Sequence, residues 1–151
     1  MDADLTLQDL SDVLESAGFD RNQRAFILWE GLTHYLGEVA VDSTLRTLAR
    51  TATPGSRLLL TYFHGGLIDG TVEFDAHDSP VSRSGATASR GSGGWTRRAC
   101  GCLAGRGMEL LEDLGADEYG GRYWGGRGRR MRGFALYRVA LAQVKNPQPE
   151  E

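Results

Sequence analysis

Apolar residues recur three and four positions apart at Leu7, Leu10, Val13, Leu14 and Ala17, the spacing that lines one face of a helix. Gly18 stands where a helix stops on a glycine, and Thr6 with Asp9 three residues on has the form of an N-terminal cap. A continuous apolar run over 25–29 follows, which the pattern predicts to be a short strand buried on both faces. It stops at Glu30-Gly31. Val41, Leu45, Leu48 and Ala52 mark a second helix, opened near Gly37-Glu38 and closed by the turn Thr53-Pro54-Gly55-Ser56. Residues 57–63, RLLLTYF, read as a second buried strand. Helix, strand, helix, strand with short turns predicts an α/β fold: a parallel sheet with helices on both faces.

Beyond His64-Gly65-Gly66 the pattern fades, and 81–102 has almost no apolar periodicity. It returns at Leu103 with a short helical piece. A strand over 108–113 comes next, then a helical stretch over 115–124 and a long strand over 133–144. The polar, Pro-containing 146–151 reads as a tail. With 151 residues the chain is sized for one domain, taken as 1–145 plus that tail.

Composition adds three points. Fourteen of the 21 glycines lie after residue 80, in the part whose periodicity is weakest. No run of 18 apolar residues exists and no signal peptide is visible in the acidic N-terminus, so cytoplasm is the expected location, with no membrane contact. Charge is uneven: residues 1–75 hold 12 acids and 5 bases, whereas 120–138 hold six arginines and no acid.

Glu30 is the leading candidate site residue, because open α/β sheets bind ligands beyond the C-terminal ends of their strands. A strand-end carboxylate can also merely cap the next helix. Asp9, in a first helical turn, suits the helix dipole without any ligand, and Leu10 has the spacing of a core position. Tyr35, Tyr62, His64 and Tyr123 fall near strand ends or loops, where packing is their ordinary role; no residue is named as catalytic. Cys100 and Cys102, and His34, His64 and His77, lack metal-ligand spacing, so no metal is expected. The segment 120–133, GGRYWGGRGRRMRG, interleaves arginine, glycine and aromatics as RNA-binding segments do, but one short stretch makes nucleic acid the weaker partner.

The order of motifs resembles the leucine carboxyl methyltransferase-like family of class I S-adenosylmethionine-dependent methyltransferases. The residues that carry the resemblance are Asp4-Leu5, Asp9-Leu10, Ala17-Gly18-Phe19-Asp20, Leu28-Trp29-Glu30-Gly31, Tyr35-Leu36 and Pro54-Gly55-Ser56. Farther on, 110–118 (LLEDLGADE), Tyr123 and the closing strand resemble the family's C-terminal end. The resemblance covers about 1–65 and 103–144. It implies S-adenosylmethionine as cofactor, with Asp9, Leu10 and Glu30 as its contacts. It also implies methyl transfer to a carboxylate or hydroxyl oxygen of a small molecule or peptide end. The cofactor carries the reactive group, so alignment and desolvation, not a diagnostic catalytic side chain, are what the protein would supply.

Two departures shape the expectation. The family's glycine-rich first strand-to-helix turn, and the acidic strand end that grips the ribose, are expected ahead of residue 1, and Gly91-Ser92-Gly93-Gly94 follows no strand. The fold expected is therefore a partial Rossmann-like class I sheet, the C-terminal part of one domain, lacking the first strand–helix units. Its Glu30 strand would form an apolar edge open to self-association, and cofactor binding would be no tighter than millimolar. Residues 81–102 do not look like the family, and their Arg/Gly/Ala/Ser/Thr/Cys mixture has the form of compensating frameshifts in a GC-rich gene; resequencing with every codon intact would refute that. The rival functions are a non-catalytic fragment or pseudoenzyme subunit, and an RNA-binding module built on 120–133.

Overall fold

The computed structural model describes residues 9–33, 35–63, 101–125 and 137–146. Helix α1, Leu10–Ser16, begins at Asp9, whose carboxylate accepts a 2.8 Å hydrogen bond from the Ser11 N–H. It ends on Gly18 at φ +81°, with Gly18 N–H bonded to Glu15 O and Phe19 N–H to Leu14 O. That pair of bonds is a Schellman motif, and Leu14 and Phe19, which it brings together, both pack against the core. The cap is thus Asp9 itself; Thr6 lies outside the described residues.

Strand β1, Phe26–Trp29, runs parallel to β2, Arg57–Phe63, and helix α2, Glu38–Thr51, connects them. Val41, Thr44, Leu45, Leu48 and Thr51 form the buried stripe of α2. A 3₁₀ helix, Gly101–Arg106, leads into β3, Met108–Gly115. Helix α3, Ala116–Trp124, follows, and β4, Tyr137–Val144, closes the sheet. The strand order is β1-β2-β4-β3. β4 lies between β2 and β3 and antiparallel to both, so the sheet is mixed rather than wholly parallel. Apolar patterning reports burial, not strand direction, which explains the difference. Residues 133–136 of the expected long strand lie outside the described residues.

The core occupies one face of this sheet. Leu58, Leu60 and Tyr62 of β2 and Ala140, Ala142 and Val144 of β4 meet Val41, Leu45 and Leu48 of α2 and Leu103 of the 3₁₀ helix. α1 adds Leu10 and Leu14 to its margin. On the opposite face the described helices leave most of the sheet open, and only α3 reaches it, through residues 119–124. The expectation of helices on both faces holds on one face and at one end of the other.

β1 is therefore not buried on both sides as its apolar run predicts. Phe26 and Leu28 are 63% and 60% exposed, while Trp29 on the core side is buried. The cause is position: β1 is an edge strand whose outward side chains meet no described helix. β3 carries one further irregularity. Its register shifts between Leu110 and Glu112, so Leu111 is an extra residue opposite β4. That bulge turns Glu112, paired with Leu141, to the open face and Asp113, paired with Ala140, to the core face.

Candidate functional site

The alternation along β2 decides what lines the open face. Leu58, Leu60 and Tyr62 point into the core, so Leu59 and Thr61 point away, beside Leu141 and Val139 of β4 and Leu28 of β1. These residues floor a cavity of about 570 Å³, walled by Tyr119, Tyr123 and Trp124 of α3 and by Tyr137, with Glu30 and Gly31 at its β1 end. Glu112 lines it from β3. A volume of this order suits a small organic ligand, for which pockets run from about 300 to 1,000 Å³.

The turn after β1 holds Glu30 in place. Gly31 adopts φ +68°, a region that side-chain-bearing residues rarely enter. Its N–H donates to Thr61 Oγ1 at 2.8 Å, and the Thr33 hydroxyl donates to the Thr61 carbonyl oxygen at 2.8 Å. One residue of β2 thus ties down the turn after Glu30 at two points, the Gly31 backbone N–H and the Thr33 hydroxyl. The Glu30 side chain is exposed and makes no ion pair among the described residues.

Two tyrosines of the wall are harder to ionise than free tyrosine. Burial, then the neighbouring Tyr35 and the Glu30 carboxylate, push the Tyr137 hydroxyl above its ordinary value. Burial and Asp117 do the same to Tyr119. Both therefore stay neutral donors at neutral pH. Tyr119 and Trp124 meet edge to face, with centroids 5.6 Å apart and planes at 79°. Tyr137 packs on Phe63 at 4.8 Å. The Glu112 carboxylate is matched, receiving 2.8 and 2.9 Å hydrogen bonds from Arg122 Nη1.

Of the three residues expected at a site, only Glu30 lines this cavity. Asp9 caps α1, and Leu10 packs against the core. Glu112, Tyr119, Trp124 and Tyr137 carry no individual sequence signal that singles them out, whereas Gly31 belongs to the Glu30-Gly31 motif. Thr61, a small hydroxyl residue directly after the apolar run 58–60, is the available signal; the others come together only through the sheet order and the bulge. Among the described residues no group of three His, Cys, Asp or Glu could hold a metal ion. The arginines of 126–136, Cys100 and the segment 81–100 lie outside the described residues.

No curated protein matches the chain. A family model does match, over a segment that runs from the N-terminus into α2 and holds Asp9, Leu10 and Glu30 but none of the C-terminal block 103–144. Residues 1–49 match the leucine carboxyl methyltransferase family.

Proposed function

We propose that the chain belongs to an S-adenosylmethionine-dependent methyltransferase that transfers a methyl group to a carboxylate or hydroxyl oxygen, with Glu30 on the cofactor side. The observation that carries this reading is the family match over 1–49, within which Glu30-Gly31 ends a parallel strand and opens onto a cavity. The residues present suit a sulfonium cofactor: Glu30 is an exposed carboxylate without an ion pair among the described residues, beside the neutral hydroxyl of Tyr137. The cofactor would supply the methyl group. Glu30 would face its positive charge or accept from its hydroxyl and amino groups, and the turn fixed by Thr61 would hold that carboxylate in place.

A partial Rossmann-like sheet fits the same reading, since β1 and β2 are joined through α2 as parallel neighbours. Cytoplasmic location is part of the proposal; among the described residues no helix is long and apolar enough to cross a membrane. The test is an amide-resolved NMR titration of the chain with S-adenosylmethionine. Saturable millimolar shifts centred on Glu30 and Gly31, lost in Glu30→Ala, are expected. Shifts absent from both amides at saturating cofactor would refute the reading.

A second reading has one observation in its favour. β1 is a sheet edge with Phe26 and Leu28 exposed, as in a subunit that pairs with another chain or copy.

A further inference from the structure

We propose that the cavity on the open sheet face binds an organic cation with an apolar body, a quaternary or protonated amine carried on a ring or short chain. Three features of the lining select that chemistry. The floor is aliphatic at Leu28, Leu59, Val139 and Leu141, and its one hydroxyl, that of Thr61, is engaged by the Gly31 N–H, so it takes an apolar body. The walls are aromatic from two directions. The edge-to-face pair Tyr119–Trp124 comes from α3, and Tyr137 comes from β4. Aromatic faces attract ammonium groups through the ring quadrupole, and cages of such rings are a recurring way of holding quaternary ammonium.

The third feature is charge. Among the described residues of the lining both charged ones are carboxylates, and no lysine, arginine or histidine joins them. Glu112 is held by Arg122, which leaves Glu30 as the carboxylate without a salt-bridge partner among the described residues. An anionic ligand would therefore be repelled, a neutral one would use the floor alone, and a cation would use floor, rings and Glu30 together. Tyr119 and Tyr137, held neutral by burial and by the nearby carboxylates, add no competing phenolate charge.

This inference does not rest on methyl transfer. The two are separable, because each ligand can fail alone: loss of S-adenosylmethionine binding leaves the amine site standing, and the reverse also holds. The probe is 4-phenylbutyltrimethylammonium, compared by calorimetry with 4-phenylbutan-1-ol and 5-phenylpentanoate on the full chain. The cation is expected to bind at least tenfold tighter than the alcohol, and the carboxylate not measurably. Glu30→Gln should weaken the cation about tenfold and leave the alcohol unchanged. Glu30 is exposed and makes no ion pair among the described residues, so this variant should keep the wild-type circular dichroism spectrum and urea midpoint. A second variant, Tyr137→Leu, should weaken the cation more than the alcohol. Equal binding of cation and alcohol, with no effect of Glu30→Gln, would overturn the proposal in favour of a merely greasy surface. A chain that sediments as a dimer and binds none of the three would overturn it as well, since a second copy would then fill this face.

Discussion

The Tyr62 hydroxyl donates a 2.7 Å hydrogen bond to Asp113 Oδ1, joining the C-terminal end of β2 to β3 across the buried face of β4. The same oxygen accepts from Arg138 Nε at 2.9 Å, and Arg138 Nη2 donates to the Asp113 carbonyl oxygen at 3.1 Å. Tyr62 is fully buried, and the Arg138 and Asp113 side chains are 12% and 11% exposed. Three consecutive sheet neighbours are thus tied by one nearly dry polar cluster. Tyr62→Phe removes a neutral donor to a charged acceptor and should cost about 1.5–3 kcal/mol. Asp113→Ala takes the close carboxylate from Arg138, leaves its charge the residue-113 carbonyl oxygen and Glu118 at 3.8 Å among its partners, and should cost more, about 3–5 kcal/mol. Urea unfolding of both variants checks the order; a Tyr62→Phe chain as stable as wild type would contradict it.

The Asp42 carboxylate bridges Arg46 of its own helix and Arg106 of the 3₁₀ helix. Hydrogen bonding to Arg46, outweighing its desolvation and aided by Arg106, holds its pKa below the ordinary 3.8. A carboxyl whose folded pKa is depressed contributes stability above its unfolded value and loses it as pH falls through the folded one. Asp42→Asn should therefore lower the urea midpoint at pH 7 and narrow its gap from wild type as pH drops below 3.8. A gap independent of pH would mean that the pair is not the cause.

Gly31 has open space where a Cβ would go, with nothing within 4 Å, so sterics with neighbours do not restrict it. Its φ of +68° does. Gly31→Ala should cost about 1–2 kcal/mol through backbone strain alone. Thr61→Val should cost about 1 kcal/mol by leaving the Gly31 N–H without its acceptor. Both should shift the Glu30 amide in NMR spectra, whereas a Glu30 environment unchanged by either variant would show that the turn does not position it.

Local signals in the chain were legible and non-local ones were not. Gly18 ends α1, and Pro54-Gly55 ends the second helical unit, because each stop depends on a few adjacent residues. The apolar run at 25–29 gave no hint that Phe26 and Leu28 face outward, since its amino acids are the same beside a partner strand or at an edge. The antiparallel insertion of β4 follows from pairings more than seventy residues apart, such as Thr61 with Val139. Glu30 was readable because a carboxylate interrupts an apolar run. The cavity around it was not, because its walls come from α3 and β4 and its floor from the hidden alternation of β2.

The open edge of β1 leads to a prediction about association. Its outer backbone pairs with no other described strand, and the exposed Phe26 and Leu28 offer a pairing surface without the charged residues that usually protect an edge. Wild-type chain should show concentration-dependent association in sedimentation, and Phe26→Lys should reduce it. Phe26 does not line the cavity, so phenylbutyltrimethylammonium binding should survive that change. Strictly monomeric wild type at high concentration would rule out the edge as an interface.

The bulge at Leu111 permits the most exacting test of the register. In an unbroken strand successive side chains alternate, so Leu110 on the core face would put Glu112 on the core face as well. With Leu111 as the extra residue, Glu112 instead opposes Leu141 in the cavity, and Asp113 opposes Ala140 within reach of Tyr62. Deleting Leu111 should therefore close the bulge without moving either carboxylate, because the shortened strand then alternates regularly through Leu110, Glu112 and Asp113. Leu111 is 39% exposed, so its loss removes little packing. The deletion should cost no more than about 1–2 kcal/mol, the range of an ordinary single change. The decisive readout is a double-mutant cycle: Tyr62→Phe should cost the same in the deletion background as in wild type. If the cost vanishes there, the deletion has carried Asp113 away from Tyr62, and the bulge does more than absorb one residue.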